Sequence, residues 1–283
     1  MAYPIRGLWP QRPLGGEVKK FKNFQRRNNE VRKMSFIITL WTQEGIVMAS
    51  DSRLTLTVPS QQNNQQIPIS FTQSDANNKT FLAAGNIGIS TFGAADIQGV
   101  PISGFVESFI HEKIEGREID LTTVPRQLLE YFRSLPVIPD TGFVVAGYIE
   151  ENGKQIPHIW RIIVKLDQIT DVIKPGQQGG AAWNGEIEVM TRLISPVSIA
   201  QPDGSSVSLP EAPIPWIFFT LQDAIDFAIY AVKVTRDTMR FLAKIKTVGG
   251  PVDVLIIRPG QGPDRAKWIQ RKELGGDGRY LLS

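Results

Sequence analysis

The chain has no cysteine and only two histidines among its 283 residues. The missing cysteines exclude disulfides, thiolate metal sites and a Cys nucleophile. His111 and His158 lie far apart and sit in no metal-binding motif. A Ser-His-Asp triad would have to recruit one of them, and no Gly-x-Ser-x-Gly elbow is present. No apolar run approaches the length needed to span a bilayer. The first residues lack the apolar core of a signal peptide, since Leu14-Gly-Gly-Glu-Val-Lys-Lys-Phe-Lys22 is polar and charged. A cytosolic protein with no membrane partner is expected. Its length is enough for one large domain, or two small ones, with a real core.

Positive charge is outnumbered by negative once the first residues are passed. Residues 1–33 hold nine Lys and Arg against Glu17 and Glu30, a surplus of seven, in a chain whose net charge is +3. The remainder therefore carries about four negative charges, and the basic character belongs to an N-terminal extension. A basic arm can bind nucleic acid or an acidic surface. It can equally be a propeptide, an unstructured tail or translated upstream sequence. No aromatic-interleaved platform follows it, which argues against nucleic acid as the partner.

From Ser35 to Gly93 the pattern is β, with runs at 35–41, 46–58, 79–84 and 87–93 rich in Ile, Val, Thr and Phe. The Pro/Gln/Asn-rich stretch 59–78 reads as an exposed loop. Residues 103–115 space Phe105, Val106, Phe109, Ile110 and Ile114 as on a helix, and a second helix follows Pro125. Strands return at 142–150 and 156–165 across Glu151-Asn-Gly-Lys154, a hairpin signal, with a shorter one at 169–173. A Gly-rich loop at 175–181 and a helix at 185–194 come next. Residues 195–216 read as an insertion. The longest helix is expected at 221–243, then a break at Gly249-Gly-Pro251 and a strand at 252–258. Strands, two helices, strands, two helices and a strand make an α+β fold, and two sheets flanked by helix pairs satisfy that order.

The arrangement around Ser35 resembles the start of a proteasome β subunit, an N-terminal-nucleophile (Ntn) hydrolase of the bacterial proteasome type. The resemblance covers roughly 35–258. It rests on Ser35 opening a strand, Asp51 sixteen residues later, Arg53 two beyond it, Lys79, and Gly93 fourteen further on. It implies a four-layer αββα sandwich, with 1–34 as an extension or propeptide and 259–283 as a C-terminal tail. It also implies the following roles. Ser35, once N-terminal, attacks a peptide or other amide carbonyl. Its free α-amine, with a pKa of roughly 7.7–8, serves as the base. Lys79 favours the alkoxide, Asp51 holds Lys79, Arg53 holds the turn around Asp51, and the Gly93 N–H binds the oxyanion at about 3–4 kcal/mol. No metal or organic cofactor is required. The implied partners are a peptide or protein substrate and further copies of the chain; an ATPase partner is not indicated either way.

Two routes lead to an N-terminal Ser35. Met34 is the true start and is removed, or Ser35 cleaves off 1–34 by an N-to-O acyl shift. Met34 in place of the Gly usual before the family's nucleophile favours the first. The family's Gly-Ser-Gly turn is Trp183-Asn184-Gly185 here, and its Asp-x-x-Ser-Gly-Gly retains only Gly249-Gly250. The competing expectation is a non-catalytic shell subunit that keeps its extension. Taken singly, each residue also has an ordinary structural role; it is the set, in order, that points to chemistry.

Overall fold

A computed structural model describes residues 35–62, 65–209, 213–260, 262 and 265–273. The basic extension 1–34 and Leu281–Leu282 lie outside the described residues. The first strands are β1 (Phe36–Trp41), β2 (Ile46–Ser50), β3 (Leu54–Gln62), β4 (Gln65–Ser74), β5 (Thr80–Ala83), β6 (Ile87–Gly93), β7 (Asp96–Ile97) and β8 (Val100–Pro101). Helices α1 (Ile102–Lys113) and α2 (Val124–Arg133) precede β9 (Thr141–Glu151), β10 (Lys154–Ile163), β11 (Gln168–Asp171) and β12 (Gly180–Gly185). Then come α3 (Glu188–Ile194), β13 (Ser198–Ala200), β14 (Ser206–Ser208), a 3-10 turn at Trp216–Phe218, α4 (Leu221–Met239), β15 (Asp253–Ile257) and β16 (Ala266–Gln270).

Two five-stranded antiparallel sheets dominate, ordered β12-β1-β2-β15-β16 and β11-β10-β9-β6-β5, and three two-stranded ribbons accompany them. Among the described residues strands far outweigh the four α-helices, which makes the fold mainly β. This corrects the expected four-layer αββα sandwich. The reason is physical: the helical cover falls short of full layers. α3 is only seven residues long, and the stretch 195–216, expected as an insertion, holds the β13–β14 ribbon. The stretch 59–78, expected as a loop, lies largely in the β3–β4 ribbon, whose register pairs Leu56 with Phe71 and Val58 with Ile69. Among the described residues no helix is long and apolar enough to cross a membrane.

Strand β1 is buried along its whole length because both faces find apolar partners. Ile37 joins Met48, Val144, Ala146 and Leu255 between the two large sheets. Phe36, Ile38 and Leu40 point the other way, into a cluster with Ala224, Ala228 and Val232 of α4. On the far side, Phe109 of α1 and Phe132 of α2 pack with Ile89, Phe143 and Val145. Helix α4 begins at a capping box: the Thr220 hydroxyl accepts from the Asp223 amide, and the Asp223 carboxylate accepts from the Thr220 amide. It stops at Met239 rather than 243, because Met239 is its last buried residue and Phe241 is 84% exposed.

Candidate active site

The run expected as one strand over 46–58 breaks at Asp51-Ser52-Arg53, and Asp51 causes the break. Its carboxylate turns back into the protein and is fully buried. Oδ1 accepts from the Phe36 amide at 2.9 Å and from the Lys79 ammonium at 2.8 Å. Oδ2 accepts from the Arg53 amide at 3.1 Å and the Gly249 amide at 3.0 Å. Four donors saturate the carboxylate, so its charge is held at one place and one orientation. Because a single oxygen takes both bonds, the Lys79 ammonium and the backbone next to Ser35 are no further apart than those two bonds laid end to end.

Lys79 enters from the other sheet. It directly precedes β5, and its carbonyl accepts from the Thr91 amide of β6 at 2.8 Å. The Asp51–Lys79 pair thus bridges the two sheets, and the Thr80 hydroxyl does the same by donating to Ser50 Oγ at 3.0 Å. The Lys79 side chain is 3% exposed. Burial pushes its pKa below the usual lysine range, and Asp51 opposes that shift by attraction and a hydrogen bond. The Lys272 and Arg53 cations add to the lowering.

Arg53 does two jobs at once. Its amide holds Asp51, while its guanidinium makes a two-pronged ion pair with Asp75, at 2.6 Å from Nε and 2.7 Å from Nη2. Its Nη1 reaches the Lys246 carbonyl at 3.4 Å. Asp75 is a residue that sequence reasoning missed; it lies in the stretch read as loop. The Arg53 hydrogen bond holds the Asp75 carboxyl below its ordinary pKa of 3.8. A carboxyl whose folded pKa is depressed contributes stability that is present above 3.8 and is lost as pH falls through the folded value. Asp75→Asn is therefore expected to flatten the acid limb of stability against pH below about 4 and leave the limb above pH 6 parallel to wild type, as read by urea midpoints across pH.

Ser35 sits at the entrance to β1, buried, with its carbonyl accepting from the Glu186 amide at 2.8 Å. That amide follows Gly185, whose φ of +89° turns the chain from β12 toward α3. The Trp183-Asn184-Gly185 segment thus lies against Ser35 in the register Phe36–Gly185 and Ile37–Asn184. Ser35 itself has φ +75°, a left-handed conformation that a residue with a side chain adopts at a cost. Gly93 closes β6 with φ +99°, two residues past Thr91 and so on the strand edge that also carries Lys79. Gly249 is more than a turn residue. Its amide holds Asp51, its carbonyl accepts from the Ser52 amide at 2.9 Å, and a Cβ there would lie 2.3 Å from Arg53 Cζ. A side chain there would have to displace the guanidinium.

The histidines make their hydrogen bonds elsewhere, His111 to Glu115 and His158 to Glu151. Among the described residues no group of three or more His, Asp or Glu stands together as a metal site. Sequence reasoning named Asp51, Arg53 and Lys79, and the structure joins these three directly, with Ser35 one residue from the Phe36 amide. No protein-family model matches the chain, and no curated protein matches it.

Proposed function

We propose that this chain is a cytosolic N-terminal-nucleophile amidohydrolase, a peptidase resembling the proteasome β subunits, with Ser35 as nucleophile. The observation that carries the reading is the single Asp51 oxygen shared by the Lys79 ammonium and the Phe36 amide. It sets a buried, charge-fixed lysine beside the first residue of β1. Such a lysine lowers the cost of forming an alkoxide at the Ser35 hydroxyl.

In the proposed reaction the α-amine of an N-terminal Ser35 takes the hydroxyl proton, with Lys79 stabilising the oxyanion being formed. The Oγ–C bond forms, the substrate C–N bond breaks, and the proton passes to the departing amine. Water then attacks the ester, and the acid leaves while Ser35 regains its proton. Gly93 is the proposed oxyanion donor, its free φ allowing close approach of a substrate backbone. Substrate peptides and further copies of the chain are the proposed partners.

The left-handed φ of Ser35 supports a processed N-terminus. That torsion exists only while Met34 is bonded to the Ser35 nitrogen, so removing residues 1–34 abolishes the strain, about 1–2 kcal/mol. The test pairs N-terminal sequencing of the purified protein with a screen of fluorogenic peptides. A chain beginning at Ser35 is expected to hydrolyse amides, and Ser35→Ala to abolish turnover. A chain that keeps residues 1–34 and cleaves nothing hands the assignment to the non-catalytic shell subunit.

A further inference from the structure

A second buried lysine stands beside the first. Lys272 follows β16, in the stretch expected as a tail. Its ammonium pairs with Asp253 Oδ2, and both side chains are 2% exposed. Its amide donates to Asp253 Oδ1 at 2.9 Å, so backbone and side chain grip the same carboxylate. The ammonium also donates to Ser52 Oγ at 3.1 Å. Asp253 heads β15, opposite Ser50, so it stands next to the Asp51 turn.

Ser52 is the hub. It is fully buried between Asp51 and Arg53. Its amide donates to the Gly249 carbonyl at 2.9 Å, and its carbonyl accepts from Asn77, two residues before Lys79, at 3.0 Å. Its hydroxyl takes the Lys272 ammonium. Every polar group of Ser52 therefore touches a segment that also supplies a partner of Asp51, or touches Lys272. Desolvating an ion pair costs free energy that its attraction only partly returns, so this pair is poorly explained as a stabiliser alone. A role in fixing position accounts for its burial.

We propose that Lys272 is a positioning residue of the Ser35 centre: through Ser52 it fixes the turn that presents Asp51 and Arg53, and its cation shapes the field around Lys79. This rests on the reading of Ser35 and Lys79 as a hydrolytic pair. The charged groups facing Lys79 are Asp51 and Arg53 from the turn after β2, Asp75 from the end of the β3–β4 ribbon, and Lys272 from beyond β16. Asp51 acts to raise the lysine's pKa; Lys272 and Arg53 lower it.

The test uses two variants with two readouts. Ser52→Ala cuts the hydroxyl link and leaves both ion pairs in place; Lys272→Met removes the cation. Turnover is followed as kcat and KM across pH. The Lys79 ionisation is followed by NMR of protein labelled at lysine Cε, with Lys79→Met assigning the signal. Ser52→Ala is expected to lower kcat about tenfold at unchanged KM. Folded Lys272→Met is expected to raise the Lys79 midpoint by about half a pH unit or more and to move the pH–rate profile with it. Wild-type kcat in Ser52→Ala overturns the proposal, and that variant alone decides if Lys272→Met does not fold. An unmoved Lys79 midpoint in folded Lys272→Met also overturns it. The titration needs no substrate. A wild-type chain beginning at Ser35 that hydrolyses nothing sinks the hydrolytic reading, while a shifted midpoint still upholds the coupling of Lys272 to Lys79.

Discussion

Asp51→Ala is expected to lower the free energy of unfolding by about 3–5 kcal/mol, the range for removing one partner of a buried ion pair. The carboxylate accepts four hydrogen bonds, and three of its donors are backbone amides, two of them in buried bonds. Alanine orphans all of them and leaves Lys79 without the charge that opposes the lowering of its pKa. The loss should depend on pH in a particular sense. With Asp51 gone, the lysine's folded pKa drops further below its ordinary 10.5. Between the two values the unfolded chain binds more protons than the folded one, so stability rises with pH across that window. Urea unfolding at pH 7 and pH 9.5 should show the deficit shrinking at the higher pH. A pH-independent deficit would mean that Lys79 is not the group left stranded.

Lys79→Met should spare the fold better and the chemistry worse. Asp51 keeps three amide donors in this variant, which is how buried carboxylates are commonly held. Methionine also fills much of the volume that the lysine stem occupied. On the proposed mechanism kcat falls by about 10²–10⁴-fold, the usual scale for one group that moves or stabilises a proton. On that mechanism KM changes little, since the role proposed for Lys79 is at the nucleophile and not in a specificity pocket. A variant that retains kcat within a factor of three, with the chain beginning at Ser35, would remove Lys79 from the mechanism.

How much of this was visible in the residues depends on range. The apolar runs of β1, β2, β6, β9 and β10 and the helical spacing of α1 and α2 are local signals, and they land within a few residues of their elements. The β3–β4 ribbon was missed because Gln and Asn mask an alternation that is nonetheless present, with Leu56 opposite Phe71 and Val58 opposite Ile69. Strands β12 and β16 are legible mainly through their partners. Gly180 and Gly185 bound β12 and carry turn character, and the first fits because a Cβ would lie 2.4 Å from the Trp41 ring. The overestimate of helical layers has the same origin: the order of elements is written in the chain, but their extent is set by what each face finds to bury.

The site shows a similar divide. Asp51, Arg53 and Lys79 were nameable only through the family resemblance that their order carries, yet Asp75, Ser52, Gly249, Asp253 and Lys272 were not. Gly249 had the nearest thing to a signal, a Gly-Gly pair before Pro251, and the reading as a turn was right but incomplete. Nothing local distinguishes Lys272 from the other cations of a polar C-terminal stretch. Its partners are 19 and 220 residues away.

Those separations bear on when the chain becomes reactive. The Asp51 carboxylate joins residues 15, 28 and 198 positions away. Contacts across such spans close late, because the entropy of the intervening chain must be given up first. The hairpin-range bonds can form while synthesis continues, but the last donor arrives only when residue 249 has been made, and Lys272 later still. A nascent or truncated chain therefore carries Ser35 with its electrostatic surroundings incomplete. On the proposed function this is a safeguard: a peptide-cleaving group stays inert toward its own and neighbouring unfolded chains until the C-terminal strands are in place.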